Sequence, residues 1–126
     1  MYYNQILFTN ILRLLSELGM TKTELSERAH VSISFLSDLT TGKANPSLRV
    51  MEAIANALET PLPVLLEFSD LDKETLDALA GGPAPQSLPP GFQRVTAILT
   101  DFQAFRVKQW DAENSGRVYS RAPKKE

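Results

Sequence analysis

Apolar residues recur along the first eighteen positions at helical rather than strand spacing. Ile6, Leu7, Ile11, Leu14, Leu15 and Leu18 fall on one wide face, which predicts a helix from about Asn4 to Leu18, ended by Gly19. Thr21 can cap a second helix whose buried stripe is Leu25 and Ala29. His30-Val31-Ser32 turns the chain, Ser32 offers another capping oxygen, Ile33 opens a third helix, and Leu36 and Leu39 hold one face inward until Gly42. A fourth helix starts after Ser47 and buries Val50, Met51, Ile54, Ala55 and Leu58. Thr60 as cap and Pro61 at the first helical position open a fifth, which returns Leu62, Leu65 and Leu66 to the core.

The pattern then weakens. An acidic helix is expected from about Leu71 to Ala80, and residues 81–87, Gly-Gly-Pro-Ala-Pro-Gln-Ser, break all periodicity and read as a semi-rigid linker. Beyond it, Gln93 to Leu99 alternates Val95, Ala97 and Leu99 with Arg94, Thr96 and Ile98, the signature of one short strand. Thr100 or Asp101 can cap a last helix from about Phe102 to Asn114, before Gly116 and a basic tail ending in Lys124-Lys125. The expected division is residues 1–69, an acidic helix and linker over 70–87, and a strand-helix module over 88–126. One strand and one helix bury little on their own, so a second copy, paired about a two-fold axis, is expected to complete the module.

Composition bounds the function. At 126 residues and 43% apolar content the chain fits one modest domain or two small ones, and without cysteine it has neither disulfides nor thiolate metal sites. No apolar run reaches the length of a bilayer span and no basic-then-apolar leader opens the sequence, so a bacterial-type cytoplasmic protein is expected, with no membrane partner. The net charge of −2 is unevenly spread. Residues 1–60 carry 5 basic and 6 acidic groups, residues 61–88 carry 1 and 5, and residues 89–126 carry 7 and 4. Acid therefore concentrates in the middle of the chain.

Taken in order, Leu25, Ala29, Val31, Leu36, Leu39, Gly42-Lys43 and Asn45-Pro46-Ser47-Leu48 resemble the Xre/Cro family of phage and plasmid repressors, over roughly half the chain. The resemblance implies a mainly α, five-helix helix-turn-helix (lambda repressor-like) domain that binds double-stranded DNA. It carries roles over by position. Lys22 stands where the family often has a glutamine on the phosphate backbone. Ser32, Ile33 and Ser34 face base edges, Ile33 being suited to a thymine methyl, with Ser37 and Asp38 one turn on. Asp38 either accepts from a cytosine amino group or orients a neighbouring side chain. Thr41, Lys43 and Asn45 are backbone clamps, with Arg49 a further candidate. The third helix departs from the family pattern in lacking a glutamine, arginine or asparagine for bidentate base contacts.

A second resemblance covers about 30 residues. Leu88 to Leu99, then Gln103-Ala104-Phe105, Val107 and Trp110, are similar to the dimerisation module of KorA-like plasmid repressors. It implies a homodimer on palindromic promoter sites, with Val95, Ala97, Leu99, Val107 and Trp110 at the dimer contact, and Phe105 where such modules carry an aromatic that contacts the ParB-like protein KorB. Both modules together give the layout of repressors of plasmid conjugal transfer and maintenance promoters.

A helical wheel adds content to that partner surface. Ala104, Val107 and Trp110 share one arc, expected to be core, and Phe102 and Phe105 fall nearly opposite. Two readings of those phenylalanines stand: an exposed patch for a protein partner, or burial by the dimer mate or the N-terminal domain. Two other functions also stand, an antitoxin-type autorepressor and a protein-binding adaptor working through the same aromatics.

Enzymatic chemistry has no support, and no cofactor or metal is expected. Asp70, Asp72, Glu74 and Asp77 lack the glycine a calcium loop needs, and acids are commonplace at helix starts. His30, the one histidine, reads as a surface turn residue.

Overall fold

The computed structural model describes residues 2–68, 71–84 and 88–119. They form seven helices: α1 (Tyr2–Leu18), α2 (Lys22–Ala29), α3 (Ile33–Thr40), α4 (Leu48–Ala57), α5 (Leu62–Leu65), α6 (Lys73–Ala80) and α7 (Asp101–Tyr119). The chain divides into two compact units, Met1–Ala84 and Pro85–Glu126.

In the first unit α2 packs on α4 and α3, and α1 lies against α3, α5 and α6. The shared core is Leu7, Ile11 and Leu15 of α1, Leu25 and Ala29 of α2, Leu36 and Leu39 of α3, Ile54, Ala55 and Leu58 of α4 and its cap, and Leu65 of α5. Each large aliphatic side chain so buried contributes roughly 1.5–3 kcal/mol. The helical periodicity marks these positions; of the others it marks, Leu14, Val50, Met51, Leu62 and Leu66 pack half-buried against the core and Leu18 stays exposed on the last turn of α1. Asn10 and Thr40 are the buried polar residues among those described, and the Asn10 Nδ2 donates to the carbonyls of Leu65 and Glu67, both at 2.8 Å.

Serine, threonine and aspartate start the helices. Thr21 accepts from the Glu24 N–H at 3.1 Å, Ser32 from Phe35 at 3.0 Å, Ser47 from Val50 at 3.2 Å and Asp72 from Thr75 at 2.7 Å. Each oxygen satisfies one of the amide donors left over in a first helical turn.

Five helices, α1 to α4 and α6, end by one rule. Past the last turn an N–H reaches back to a carbonyl five positions earlier: Met20 to Leu15, Val31 to Ser26, Lys43 to Asp38, Thr60 to Ala55 and Gly82 to Asp77. The residue in between must adopt left-handed backbone. Gly19, Gly42 and Gly81 do so without a Cβ penalty, but His30 (φ 56°) and Glu59 (φ 53°) do it with full side chains.

Glu59 also explains a correction. Thr60 does not cap α5, because its N–H closes α4; Pro61, extended at φ −62° and ψ 139°, is the cap, without a side-chain hydrogen bond. The first helix begins at Tyr2 rather than near Asn4, held there by ring contacts of Tyr2 with Tyr3 (5.0 Å) and Phe68 (6.2 Å). Asp70 and the tail residues Lys124 and Lys125 lie outside the described residues, as does the linker stretch 85–87.

The second unit opens with a turn at Pro89–Phe92, closed by the Phe92 N–H on the Pro89 carbonyl at 3.3 Å with Gly91 at φ 93°. Residues 93–99 are not a strand, and no strand occurs among the described residues. A strand exists by its hydrogen-bonded neighbour, and a single chain supplies this segment with no second one to pair with. Thr100 caps α7 in a reciprocal box: its Oγ1 accepts from the Gln103 N–H and the Gln103 Oε1 accepts from the Thr100 N–H, both at 3.2 Å.

The last helix runs beyond Asn114, where its sequence pattern ends, and through Gly116 to Tyr119. A glycine inside a helix costs about 1 kcal/mol relative to alanine and does not by itself stop one. Two contacts lie at its far end. Arg94 donates to the Tyr119 hydroxyl at 3.0 Å and the Arg117 guanidinium lies 6.0 Å from the Phe92 ring centre.

Candidate nucleic-acid interface

The turn between α2 and α3 is built by three local devices. His30 takes the left-handed position, Val31 packs partly buried against the core, and the Ser26 hydroxyl donates to the Val31 carbonyl. Leu25 and Ala29 on one side and Leu36 and Leu39 on the other are buried, which fixes the two helices against each other and leaves the opposite face of α3 outside. Ser26 carries no periodic or motif signal and was not legible as a turn residue.

That outer face holds the residues expected to read bases. Ile33 is 49% exposed at the first position of α3, and Ser34 and Asp38 are exposed beside it. Ser37 is half-buried, and its carbonyl accepts from the hydroxyls of Thr40 at 3.3 Å and Thr41 at 2.9 Å. Ser32 is exposed, and its oxygen caps α3 by accepting from Phe35, so it meets a ligand with its O–H donor and its one remaining lone pair. Lys22 stands half-buried at the first residue of α2.

The connection from α3 to α4 supplies the flanking groups. Thr41, Lys43, Asn45 and Arg49 are all exposed. Thr41 Oγ1 donates to Ser37 and, at 3.2 Å, to Asp38. A phosphate oxygen only accepts, so Thr41 reaches one by giving up these bonds, which leaves Lys43, Asn45 and Arg49 as the free-standing donors of this edge. The structure thus gathers Ile33, Ser34, Ser37, Asp38, Thr41, Lys43 and Asn45 on consecutive segments, α3 and its exit.

Residues 11–65 match the helix-turn-helix family HTH_3. The match takes in α2, α3 and the turn that joins them. Relatives of this chain carry the names of transcriptional regulators and repressors. Over 48 residues the chain is 42% identical to the transcriptional regulator ClgR of Mycobacterium tuberculosis, covering 38% of this chain and 43% of the relative. It is 36% identical over 58 residues to the immunity repressor protein of Bacillus phage phi105, covering 46% and 40%. A third match, to the TrfB transcriptional repressor protein of Escherichia coli, is 57% identical over 30 residues, covering 24% and 30%. The chain therefore spans less than half the length of each of these curated relatives. Among solved structures, a mutant of the restriction-modification controller protein C.Esp1396I superposes with a TM-score of 0.50 at 20% identity, over 62% of this chain and 90% of that one. That likeness shows a shared helical fold.

In the second unit the expected contact residues are open to solvent. Val95 is 66% exposed, Phe102 72% and Trp110 55%, while Ala97, Leu99, Phe105 and Val107 are also exposed. The arc of Ala104, Val107 and Trp110 is therefore not a core in one chain, where only Ala104 is half-buried. The physical reason is that one helix and one short segment offer few apolar neighbours to bury such an arc. No helix among the described residues is long and apolar enough to cross a membrane.

Proposed function

We propose that this protein is a sequence-specific, double-stranded-DNA-binding transcriptional repressor that acts as a homodimer on palindromic operators. The exposed start of α3, carrying Ile33, Ser34 and Asp38 and flanked by Lys43 and Asn45 within a helix-turn-helix domain, is the observation that carries this reading. Ser32, Ile33, Ser34, Ser37 and Asp38 read base edges, and Lys22, Thr41, Lys43, Asn45 and Arg49 hold the backbone. Small hydroxyl and apolar readers discriminate weakly one at a time, so a second half-site and DNA shape complete the specificity.

A second copy covers the apolar side chains the second unit leaves in solvent: Val95, Ala97, Leu99, Val107 and Trp110. Joining two DNA-binding units makes the second half-site contact intramolecular. The similarity to repressors of phage and bacterial origin, and the KorA-like character of residues 88–110, support a TrbA-type repressor of plasmid conjugal transfer promoters. Phe102 and Phe105 then face a protein partner, for which the same resemblance points to KorB.

Fluorescence anisotropy of the full chain with plasmid promoter and scrambled duplexes, at two salt concentrations, tests this. Promoter-selective binding is expected, and Lys43→Ala should weaken both duplexes and reduce the salt slope by about 1. Equal weak binding to both duplexes, unmoved by Lys43→Ala, would instead support an adaptor working through the aromatic face.

A further inference from the structure

The α3–α4 connection alternates in burial. Lys43 and Asn45 point outward, whereas Ala44 and Pro46 are half-buried and Ala44 packs against the core. Its seat is the first two turns of α1. Asn4 Nδ2 donates to the Ala44 carbonyl at 3.2 Å across 40 positions of sequence. Gln5 and Phe8 line the same seat, since a Cβ on Gly42 would lie 3.7 Å from Gln5 Nε2 and 3.8 Å from Phe8 Cε1. On the other side, α3 holds the loop through the Gly42 N–H on Leu39 at 3.2 Å and the Lys43 N–H on Asp38 at 2.7 Å. The backbone between Lys43 and Asn45 is thus gripped from α3 on one flank and from Asn4 on the other.

The Asn4 amide is used one-sidedly. Its Oδ1 is buried with no hydrogen-bond partner. Turning the amide over would set that oxygen against the Ala44 carbonyl, two acceptors face to face, so the donor orientation is dictated. An amide that leaves its acceptor buried and unmet is held there by what its donor does.

We infer that Asn4 is a positioning residue for the DNA interface: through the Ala44 carbonyl it fixes the loop that presents Lys43 and Asn45 to phosphates. This rests on the DNA-binding reading above. Asn4 touches no base or phosphate itself; it acts through the register of the loop. The first turn of α1 is therefore part of the recognition apparatus as well as of the core.

The test uses the full chain with Asn4→Leu, and Asn4→Ser as a smaller polar second variant, in two measurements. Amide hydrogen exchange at residues 42–45 should speed up by roughly tenfold, while amides in the middle of α2 and α4 keep wild-type protection. In a double-mutant cycle with Lys43→Ala, each Asn4 variant should weaken promoter binding by roughly threefold to tenfold in the wild-type background and by clearly less once Lys43 is gone and only Asn45 remains to be placed. Unchanged exchange at 42–45, or equal weakening in both backgrounds, overturns the inference. If Lys43→Ala alone leaves binding intact, the DNA reading has failed, and the exchange result still decides whether Asn4 holds the loop.

Discussion

Asn10 on α1 donates to the Leu65 carbonyl at 2.8 Å and so caps a helix that is 55 positions away in sequence. Leu65 ends α5; the Pro63 and Val64 carbonyls accept from the N–H groups of Leu66 and Glu67, and that of Leu65 accepts from Asn10. Replacing the amide by Asn10→Leu keeps the volume and strands the Leu65 and Glu67 carbonyls in the interior. Stability should fall by about 2–3 kcal/mol, against roughly 0.5 for Thr9→Ala on the neighbouring half-buried position. Chemical denaturation of both variants checks this.

His30 and Glu59 sit in left-handed backbone that glycine adopts freely. His30→Gly and Glu59→Gly should each raise stability by about 0.5–1 kcal/mol, additively because the two turns share no partner. His30→Val should lower it, since a branched Cβ is worst in that conformation. Thermal unfolding midpoints of the three variants and the double variant are the readout, and DNA affinity should follow none of them.

Ile33 and Leu36 are three residues apart on one helix and should separate reading from folding. Leu36 is fully buried, so Leu36→Ala should cost about 2–5 kcal/mol and remove DNA binding by loss of the fold. Ile33→Ala should change stability by less than about 0.5 kcal/mol while narrowing the difference between promoter and scrambled duplex. Denaturation midpoints and competition binding measured together distinguish the two effects.

Trp110 is the only tryptophan, and in one chain it is 55% exposed. Its emission should shift to the blue as protein concentration rises and the second copy covers it. Trp110→Ala and Val107→Glu should yield monomers by light scattering that bind an operator far more weakly, because the second half-site is no longer intramolecular. Emission independent of concentration in a monomeric protein would contradict the assigned contact.

Alkaline pH should loosen the start of α1. Burial, then the neighbouring Tyr3 and Asp77 charges, raise the Tyr2 phenol above its ordinary pKa of 10.0. The folded protein favours the neutral phenol, so its contribution is complete below pH 10 and is lost as pH rises through the folded value. The Tyr2 hydroxyl is also buried without a hydrogen-bond partner. Tyr2→Phe should therefore be neutral or stabilising at pH 7 and should flatten the loss above pH 10, as followed by denaturation at several pH values.

What the sequence disclosed and what it hid have physical reasons. Leu25, Ala29, Leu36 and Leu39 announce the paired helices because one-sided burial imposes a 3.6-residue period, and Thr21, Ser32 and Ser47 mark starts because few residues satisfy a first turn's amides. Left-handed ends at His30 and Glu59 carry no glycine, so nothing local distinguishes them; Thr60 then looks like a cap although its amide belongs to α4. Asn4, Asn10 and Ser26 act through bonds to carbonyls, and a carbonyl looks the same under every side chain. The alternation of residues 93–99 resembles a strand for a sound reason, since it puts Val95, Ala97 and Leu99 on one side. Whether such a segment becomes a strand depends on a neighbour outside the single chain. Likewise the exposure of Ile33 and Asp38 could be foreseen, but the commitment of the Thr41 hydroxyl to its own helix could not.

The central claim is that two copies of α3 read two half-sites of one duplex. Selecting duplexes from a randomised pool with the full-length protein, sequencing the bound fraction and measuring the spacing of enriched motifs tests it most directly. An inverted repeat is expected, with half-site centres about one helical turn, 10–10.5 base pairs, apart, and with loss of enrichment for Ile33→Ala. A pool that returns no enriched motif, or a single unrepeated site unaffected by Ile33→Ala, would contradict it.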